Sequence, residues 1–294
     1  MKSVFASLVV LLVVATTWAG EPGDAETIAF LNKLQTPSGG YWGTPPAPNI
    51  RVMPTLRATL SAVRATVALE GKLPNSAATA KFVTSCYDPK TGGFADTPGG
   101  KVDVGLTAIG ALAVRDLGMP AEPFVDGVAK YLSDNAKSFE DIRIAAAAFE
   151  KLERKNPKSD AWLAEVKKTR AADGTFGAGL GKTRDTASAV VTLLRLGEKI
   201  DARDNVVKAL RDGQRGSGGF GKADSDTDAD LETCYRVMRC FKMLKAQPAR
   251  VEGLRTFVAK CRNEDGGYAA EPGEPSTAAA TYYAVMVRKW IGDE

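Results

Sequence analysis

Two stretches decide how this chain folds: Gly218-Gly219-Phe220-Gly221 and Asn263-Glu264-Asp265-Gly266-Gly267-Tyr268. The same glycine pair and aromatic occur at Gly39-Gly40-Tyr41 and Gly92-Gly93-Phe94, with Gly174-Thr175-Phe176 as a variant. A worn copy, Ser138-Phe139-Glu140-Asp141, fills the wide interval between 94 and 176. Six units result, spaced by roughly 37 to 53 residues, the interval of helical-pair repeats.

Each unit has the same order. A helix comes first, as at Pro248 to Cys261, where Val251, Leu254, Phe257 and Val258 share one face. A polar glycine turn follows; glycine permits the positive φ that ends a helix, and the aromatic folds back onto the apolar face. A second helix is predicted to begin near Thr55, Thr107, Asp141, Thr186, Thr233 and Thr277. These second helices are mostly richer in Ala and Val and poorer in charge, as in Thr186 to Leu194. Small residues let helices approach closely, so they form an inner ring and the charged helices an outer one. No alternating run is long enough for a strand. The last helix, Thr277 to Trp290, stays apolar through Tyr282, Tyr283, Val285, Met286 and Val287, which suits docking on the first repeat. The expected fold is all-α, a closed α/α toroid of six helical hairpins over residues 20–294.

Residues 1–19 read as a signal peptide. Lys2 is positive, Val4 to Val14 is apolar apart from Ser7, and Thr17 and Ala19 occupy the −3 and −1 positions of a cleavage site. That core is short for a membrane span, and no second segment is long enough, so the mature chain is expected to be exported, periplasmic or secreted. Losing Lys2 lowers the formal charge from +4 to about +3, spread without a basic block. Nucleic acid is therefore not an expected partner. The chain contains no histidine, which excludes Ser-His-Asp and Cys-His nucleophile systems and any metal site requiring imidazole. Cys86, Cys234, Cys240 and Cys261 allow three full disulfide pairings, or are small buried thiols. Cys234 and Cys240, six residues apart, do not share a helical face.

With Gln35 ahead of Gly39-Gly40-Tyr41-Trp42, and Gln214 ahead of Gly218-Gly219-Phe220-Gly221, the chain resembles the prenyltransferase and squalene-oxidase repeat family. The resemblance covers nearly all of residues 25–292. It implies the toroid of protein farnesyl- and geranylgeranyltransferase β subunits and of terpene cyclases. It places the family's zinc ligands on Glu232 and Cys234, with Glu in place of Asp. The family's third ligand, a His at the start of the last inner helix, is missing from Pro275-Ser276-Thr277-Ala278-Ala279-Ala280-Thr281. Two ligands hold zinc poorly, so no cofactor is expected. Asp185, Glu232 and Ser276 also sit just before a Thr that opens an inner helix, where they would cap free N–H groups.

Diphosphate binding, as the resemblance implies it, falls on Lys222 after Phe220-Gly221. Lys182 and Arg184 in the preceding glycine loop share that rim, and Tyr235 follows the zinc motif. In the acidic run Asp224, Asp226, Asp228, Asp230, Glu232, the candidates for the general acid of class II terpene cyclases are Asp226, Asp228 and Asp230. The run also resembles the start of a calcium loop, without its Gly and final Glu, and a solvated loop reads the same way. Trp42, Tyr235, Tyr282 and Tyr283 are expected to line an apolar funnel fit for an isoprenoid tail. Tyr282 and Tyr283 are adjacent, so only one is expected to face inward.

These readings point to an exported toroid that binds an isoprenoid, another apolar ligand or another protein and lacks zinc-dependent prenyl transfer. The alternative is an active prenyltransferase-like or terpene-cyclase-like enzyme on an isoprenoid substrate. A thioester toroid is countered by the absence of a Cys-Gly-Glu-Gln sequence. Carbohydrate-active toroids remain compatible, because paired carboxylates serve their chemistry.

Overall fold

Glycine turns and small residues build two concentric rings. A computed structural model describes residues 23–47, 52–222 and 229–292. The signal-peptide reading of residues 1–19 and the candidates Asp226 and Asp228 lie outside the described residues. The outer helices are α1 (Asp24–Lys33), α3 (Ser76–Ser85), α5 (Glu122–Asn135), α7 (Ser159–Lys167), α9 (Arg203–Asp212) and α11 (Val251–Lys260). The inner helices are α2 (Leu56–Ala68), α4 (Val104–Asp116), α6 (Phe139–Leu152), α8 (Lys182–Arg195), α10 (Leu231–Met243) and α12 (Ala278–Gly292). None of the described helices is long and apolar enough to cross a membrane.

Burial separates the rings as composition predicts. Each outer helix buries only two or three residues, such as Phe124, Val128 and Leu132 of α5. Each inner helix buries seven to nine, many of them Ala, because it packs on its outer partner and on both inner neighbours. Inner helices meet in sequence order from α2 to α12, and α12 packs on α2. The ring is closed.

Closure uses the same joint as the first, second and fifth repeat boundaries. Gly266, with φ +85°, runs so close to α1 that a Cβ there would sit 2.5 Å from the Glu26 carbonyl oxygen. Gly39 and Gly218 meet the backbone of the next outer helix likewise, at 2.1 Å from Ala78 and Gly253. Thr79 donates from its hydroxyl to the Gly39 carbonyl at 3.0 Å, and Thr27 to the Gly266 carbonyl at 2.8 Å. The sixth turn therefore treats α1 as though it were the next repeat.

The starts of the inner helices differ in part from expectation. Thr55 and Thr277 cap as expected, accepting from the N–H groups of Ala58 and Ala280, but Asp103, Ser138 and Asp230 cap three others, accepting from Leu106, Asp141 and Thr233. The starts predicted at Thr107, Asp141, Thr186 and Thr233 lie two to four residues inside their helices. Asp185 and Glu232 sit in first turns, and Ser276 donates to Asp265 at 2.8 Å, so none of these three is a cap. One turn past the cap, a hydroxyl has a different task. The backbone N–H of Tyr41, Phe94, Phe176 and Tyr268 donates to Thr59, Thr107, Thr186 and Thr281 at 2.9–3.0 Å. Each bond satisfies a buried N–H and pins the motif's aromatic beneath the inner helix. The second glycine turn adds a short antiparallel pair, Tyr87–Asp88 with Gly93–Phe94, that the sequence reading omitted. Two residues per strand are too few for alternation to show.

All four cysteines are buried and free. Burial pushes the Cys86 and Cys261 thiols up to about 12, with Asp96 adding to the effect at Cys86 and Glu271 at Cys261. Thiolate is the reactive form, so at pH 8 the native protein should react negligibly with dithionitrobenzoate, and fully once denatured. Rapid reaction of the native chain would contradict the packing of these residues. For Cys86 and Cys261 the folded thiol keeps its proton where the unfolded one loses it. Their contribution is full below about pH 9 and is lost as pH rises towards 12.

Candidate functional site

The inner-helix face that meets no other helix opens on a lumen of about 930 Å³, within the size range of small-molecule sites. Its middle is aliphatic, with Leu60, Ile109, Leu112, Ile144 and Val191. Its ends are charged, because side chains recurring every three or four residues share that face. Arg57, Ser61 and Arg64 do so on α2, Glu140, Arg143, Ala147 and Glu150 on α6, and Glu232, Tyr235, Arg236 and Arg239 on α10.

At the N-terminal end of the inner helices the charges form a chain. Arg236 bridges Glu232 at 2.7 Å and Glu140 at 3.2 Å. Arg143 takes the other side of Glu140 at 2.8 Å, and Arg184 stands 3.8 Å from Glu232. Burial pushes the Glu140 carboxyl up, but Arg143 and Arg236 outweigh it and hold it below its ordinary 4.5. Glu140 is thus kept ionised and engaged.

Towards the C-terminal half the balance changes. Asp116 receives Arg64 at 2.6 Å and Lys151 at 2.8 Å, while Glu150 receives Arg195 at 2.9 Å. Arg239 donates to the Tyr235 hydroxyl and lies over the rings of Tyr235 (4.8 Å) and Trp290 (5.4 Å). Arg64 lies over Tyr282 at 5.8 Å, and the Tyr235 and Tyr282 hydroxyls share a 2.8 Å hydrogen bond. Four cations thus share two carboxylates. Burial pushes the Tyr235 phenol up, yet Arg239, Arg64, the Tyr282 hydroxyl and Arg195 together hold it below its ordinary 10.0. Burial, then the like charge of Arg239, draws the Arg195 guanidinium down to about 10.

Of the residues singled out from the sequence, Tyr235, Tyr282 and Tyr283 all line the lumen. Tyr282 and Tyr283 both reach it, contrary to expectation. Their long side chains converge on Tyr235, with ring centroids 5.2 and 5.0 Å away. Trp42 does not line the lumen; its indole N–H donates to the Val52 carbonyl at 3.1 Å. The loops of the predicted basic rim do meet, a Cβ at Gly181 falling 3.6 Å from the Lys222 carbonyl oxygen, but their cations do not line the lumen. Lys182 pairs with Asp173 in its own loop at 3.3 Å, Lys222 is exposed, and only Arg184 joins the charged chain through Glu232. Asp230 is buried as a cap, accepting from the Thr233 N–H and hydroxyl at 2.8 Å each, which leaves it no path to a lumen substrate.

Glu232 and Cys234 do not form a joint metal site. Glu232 faces the lumen in the grip of Arg236, whereas Cys234 is wholly buried in the wall. Its sulfur accepts the Phe220 backbone N–H at 3.2 Å, the role that Thr59, Thr107, Thr186 and Thr281 have in other repeats. The donors therefore do not fit zinc.

The prenyltransferase alpha-alpha toroid domain matches this chain twice, over residues 4–141 and 142–293. The chain belongs to that family. Among solved structures this toroid is similar to Candida albicans protein geranylgeranyltransferase-I complexed with GGPP, at 10% identity and TM-score 0.67, covering 81% of this chain and 84% of that one. It is also similar to a Scytonema type II terpene cyclase in complex with geranylgeranyl dihydroxybenzoate, at 11% identity and TM-score 0.61, covering 92% and 96%. A family 76 glycoside hydrolase from a bovine Bacteroides thetaiotaomicron strain aligns at 10% identity and TM-score 0.66, covering 92% and 77%. No curated protein matches the sequence. At such identities the structural likeness speaks for the toroid and leaves the chemistry to the lumen.

The charged lumen was legible only in part. Arg64, Glu140, Arg143, Glu150, Arg195, Arg236 and Arg239 carried a signal, charges at helical spacing on Ala-rich inner helices. That pattern also fits a solvated face, and only ring closure turns it inward.

Proposed function

We propose that this protein is an exported binding toroid that holds an amphiphilic, anionic small molecule in its lumen and does not perform zinc-dependent prenyl transfer. The observation that carries this reading is the lumen wall, aliphatic at mid-height and cationic towards the C-terminal half. An isoprenoid or similar apolar body suits the aliphatic belt, and its acidic group suits the arginines.

Neither enzymatic alternative gains equal support. A zinc-activated thiol has no joint Glu232–Cys234 site to use, and Asp230 is committed as a cap. Glycoside hydrolysis needs a carboxyl held protonated near neutrality; Glu140 is held the opposite way.

Anilinonaphthalene sulfonate, an apolar anion of suitable size, tests the reading. The mature protein should bind it saturably at one class of site. Ala187→Trp and Ser61→Trp, which fill the lumen from facing helices, should each abolish that binding while circular dichroism stays helical. Binding that survives both substitutions, or no saturable binding, would overturn the proposal.

A further inference from the structure

We infer that the C-terminal half of the lumen is an oxyanion subsite for a phosphate monoester, built by Arg64, Arg195 and Arg239 with the hydroxyls of Tyr235 and Tyr282. The inference rests on the binding reading above and fixes how the ligand lies. Its charged head sits on the C-terminal halves of the inner helices, away from the glycine loops of Lys182 and Lys222.

The charge count selects a doubly charged head. Arginine keeps its proton in proteins, so a surplus of guanidinium groups cannot be relieved by neutralisation. Asp116 serves Arg64 and Lys151 together, and Glu150 serves Arg195. Among the described residues Arg239 meets aromatic faces and the Tyr235 hydroxyl. The side chains of Arg195 and Arg64 are 7% and 21% exposed against 45% for Lys151, so water screens the lysine but screens these two arginines only weakly. Among the described side chains two positive charges are left over, one of them on the half-exposed Lys151; a dianion cancels both and a carboxylate only one. The same cations hold the Tyr235 phenol below its ordinary value, and the Arg239 charge adds to the burial that draws Arg195 down.

Geometry agrees with the charge. Arg64, Arg195 and Arg239 come from three different inner helices and line the same lumen, Arg239 4.8 Å from the Tyr235 ring centroid and Arg64 5.8 Å from that of Tyr282, whose hydroxyl bonds Tyr235. They therefore surround one point instead of lining a track. Tyr235 and Tyr282 add two hydroxyls 2.8 Å apart. Guanidinium forks and hydroxyls suit a tetrahedral oxyanion with several acceptor atoms. Leu112 and Val191 border the same space, leaving an apolar wall for the ester's alkyl part.

The test compares octyl phosphate, octanoate, octanol and inorganic phosphate on the mature protein, by calorimetry and by thermal unfolding. Octyl phosphate should bind roughly 10-fold or more tightly than octanoate, the scale of one charge-assisted hydrogen bond. Arg239→Met should remove that preference without changing octanol binding, whereas Arg236→Met, in the N-terminal chain and paired with both Glu140 and Glu232, should preserve it. Without ligand, Arg239→Met should raise the melting temperature by about 2–4 °C, because it removes an uncompensated buried cation. A merely structural arginine would lower it. A head preference that survives Arg239→Met and Arg195→Met would overturn the inference, as would a lower melting temperature for Arg239→Met. If the alkyl compounds bind equally whatever their head, the amphiphile reading stands and the subsite falls. If inorganic phosphate stabilises the wild type but not Arg239→Met, and no alkyl compound binds, the subsite stands and the amphiphile reading falls.

Discussion

Gly218→Ala should lower the unfolding free energy by about 3 kcal/mol, summing the left-handed backbone penalty and the overpacking cost. Gly218 has φ +94°, and an added Cβ would lie 2.1 Å from the Gly253 carbonyl oxygen. That atom belongs to α11 of the next repeat, so neither side can swing away; two backbones would have to part. Gly273 supplies the control. Its φ is +90°, but nothing lies within 4 Å of the Cβ position. Gly273→Ala should therefore cost only the backbone term, about 1 kcal/mol. Denaturant unfolding of both variants checks the pair. Equal losses would mean that the fifth turn and the sixth outer helix are not in contact, and the repeat-to-repeat joint would be misassigned. Loss of about 3 kcal/mol is a large fraction of the stability of most domains.

The same joint explains why the fold was legible and the site was not. A glycine pair with an aromatic survives in four of the six units, because backbone contact with the next helix admits no side chain. Such a constraint leaves a clear mark in those four copies, and with the variants at Phe139 and Phe176 six marks define the ring. The hydroxyl that receives the aromatic's N–H leaves a blurred mark. Its distance from the aromatic ranges from 10 residues at Phe176–Thr186 to 18 at Tyr41–Thr59, since the intervening loops differ in length. The predicted helix starts consequently mixed two positions, the cap at Thr55 and Thr277 and the receiving residue at Thr107 and Thr186. The lumen leaves the faintest mark. Arg239 reads as a surface residue until Tyr235, Tyr282 and Trp290 are brought around it from two helices.

Cys234→Val should destabilise the protein by about 2 kcal/mol, and Cys234→Thr should be neutral or better. The argument is positional. The Phe220 N–H is buried, and its acceptor is the Cys234 sulfur at 3.2 Å. Valine fills a similar volume and removes the acceptor, leaving a buried donor unsatisfied at about 1–3 kcal/mol. Threonine offers a hydroxyl at the position where four other repeats already carry one, at N···O distances of 2.9–3.0 Å. The metal reading of Glu232 and Cys234 makes the reverse prediction, since a hydroxyl is a poor substitute for a thiolate ligand and valine and threonine would then be equally damaging. Denaturant unfolding of the two variants, each with and without added zinc, separates the alternatives. A threonine variant as unstable as the valine variant, with a wild type stabilised by zinc, would return Cys234 to metal chemistry. A threonine variant that unfolds like the wild type makes it the fifth copy of the residue that holds each aromatic in the wall.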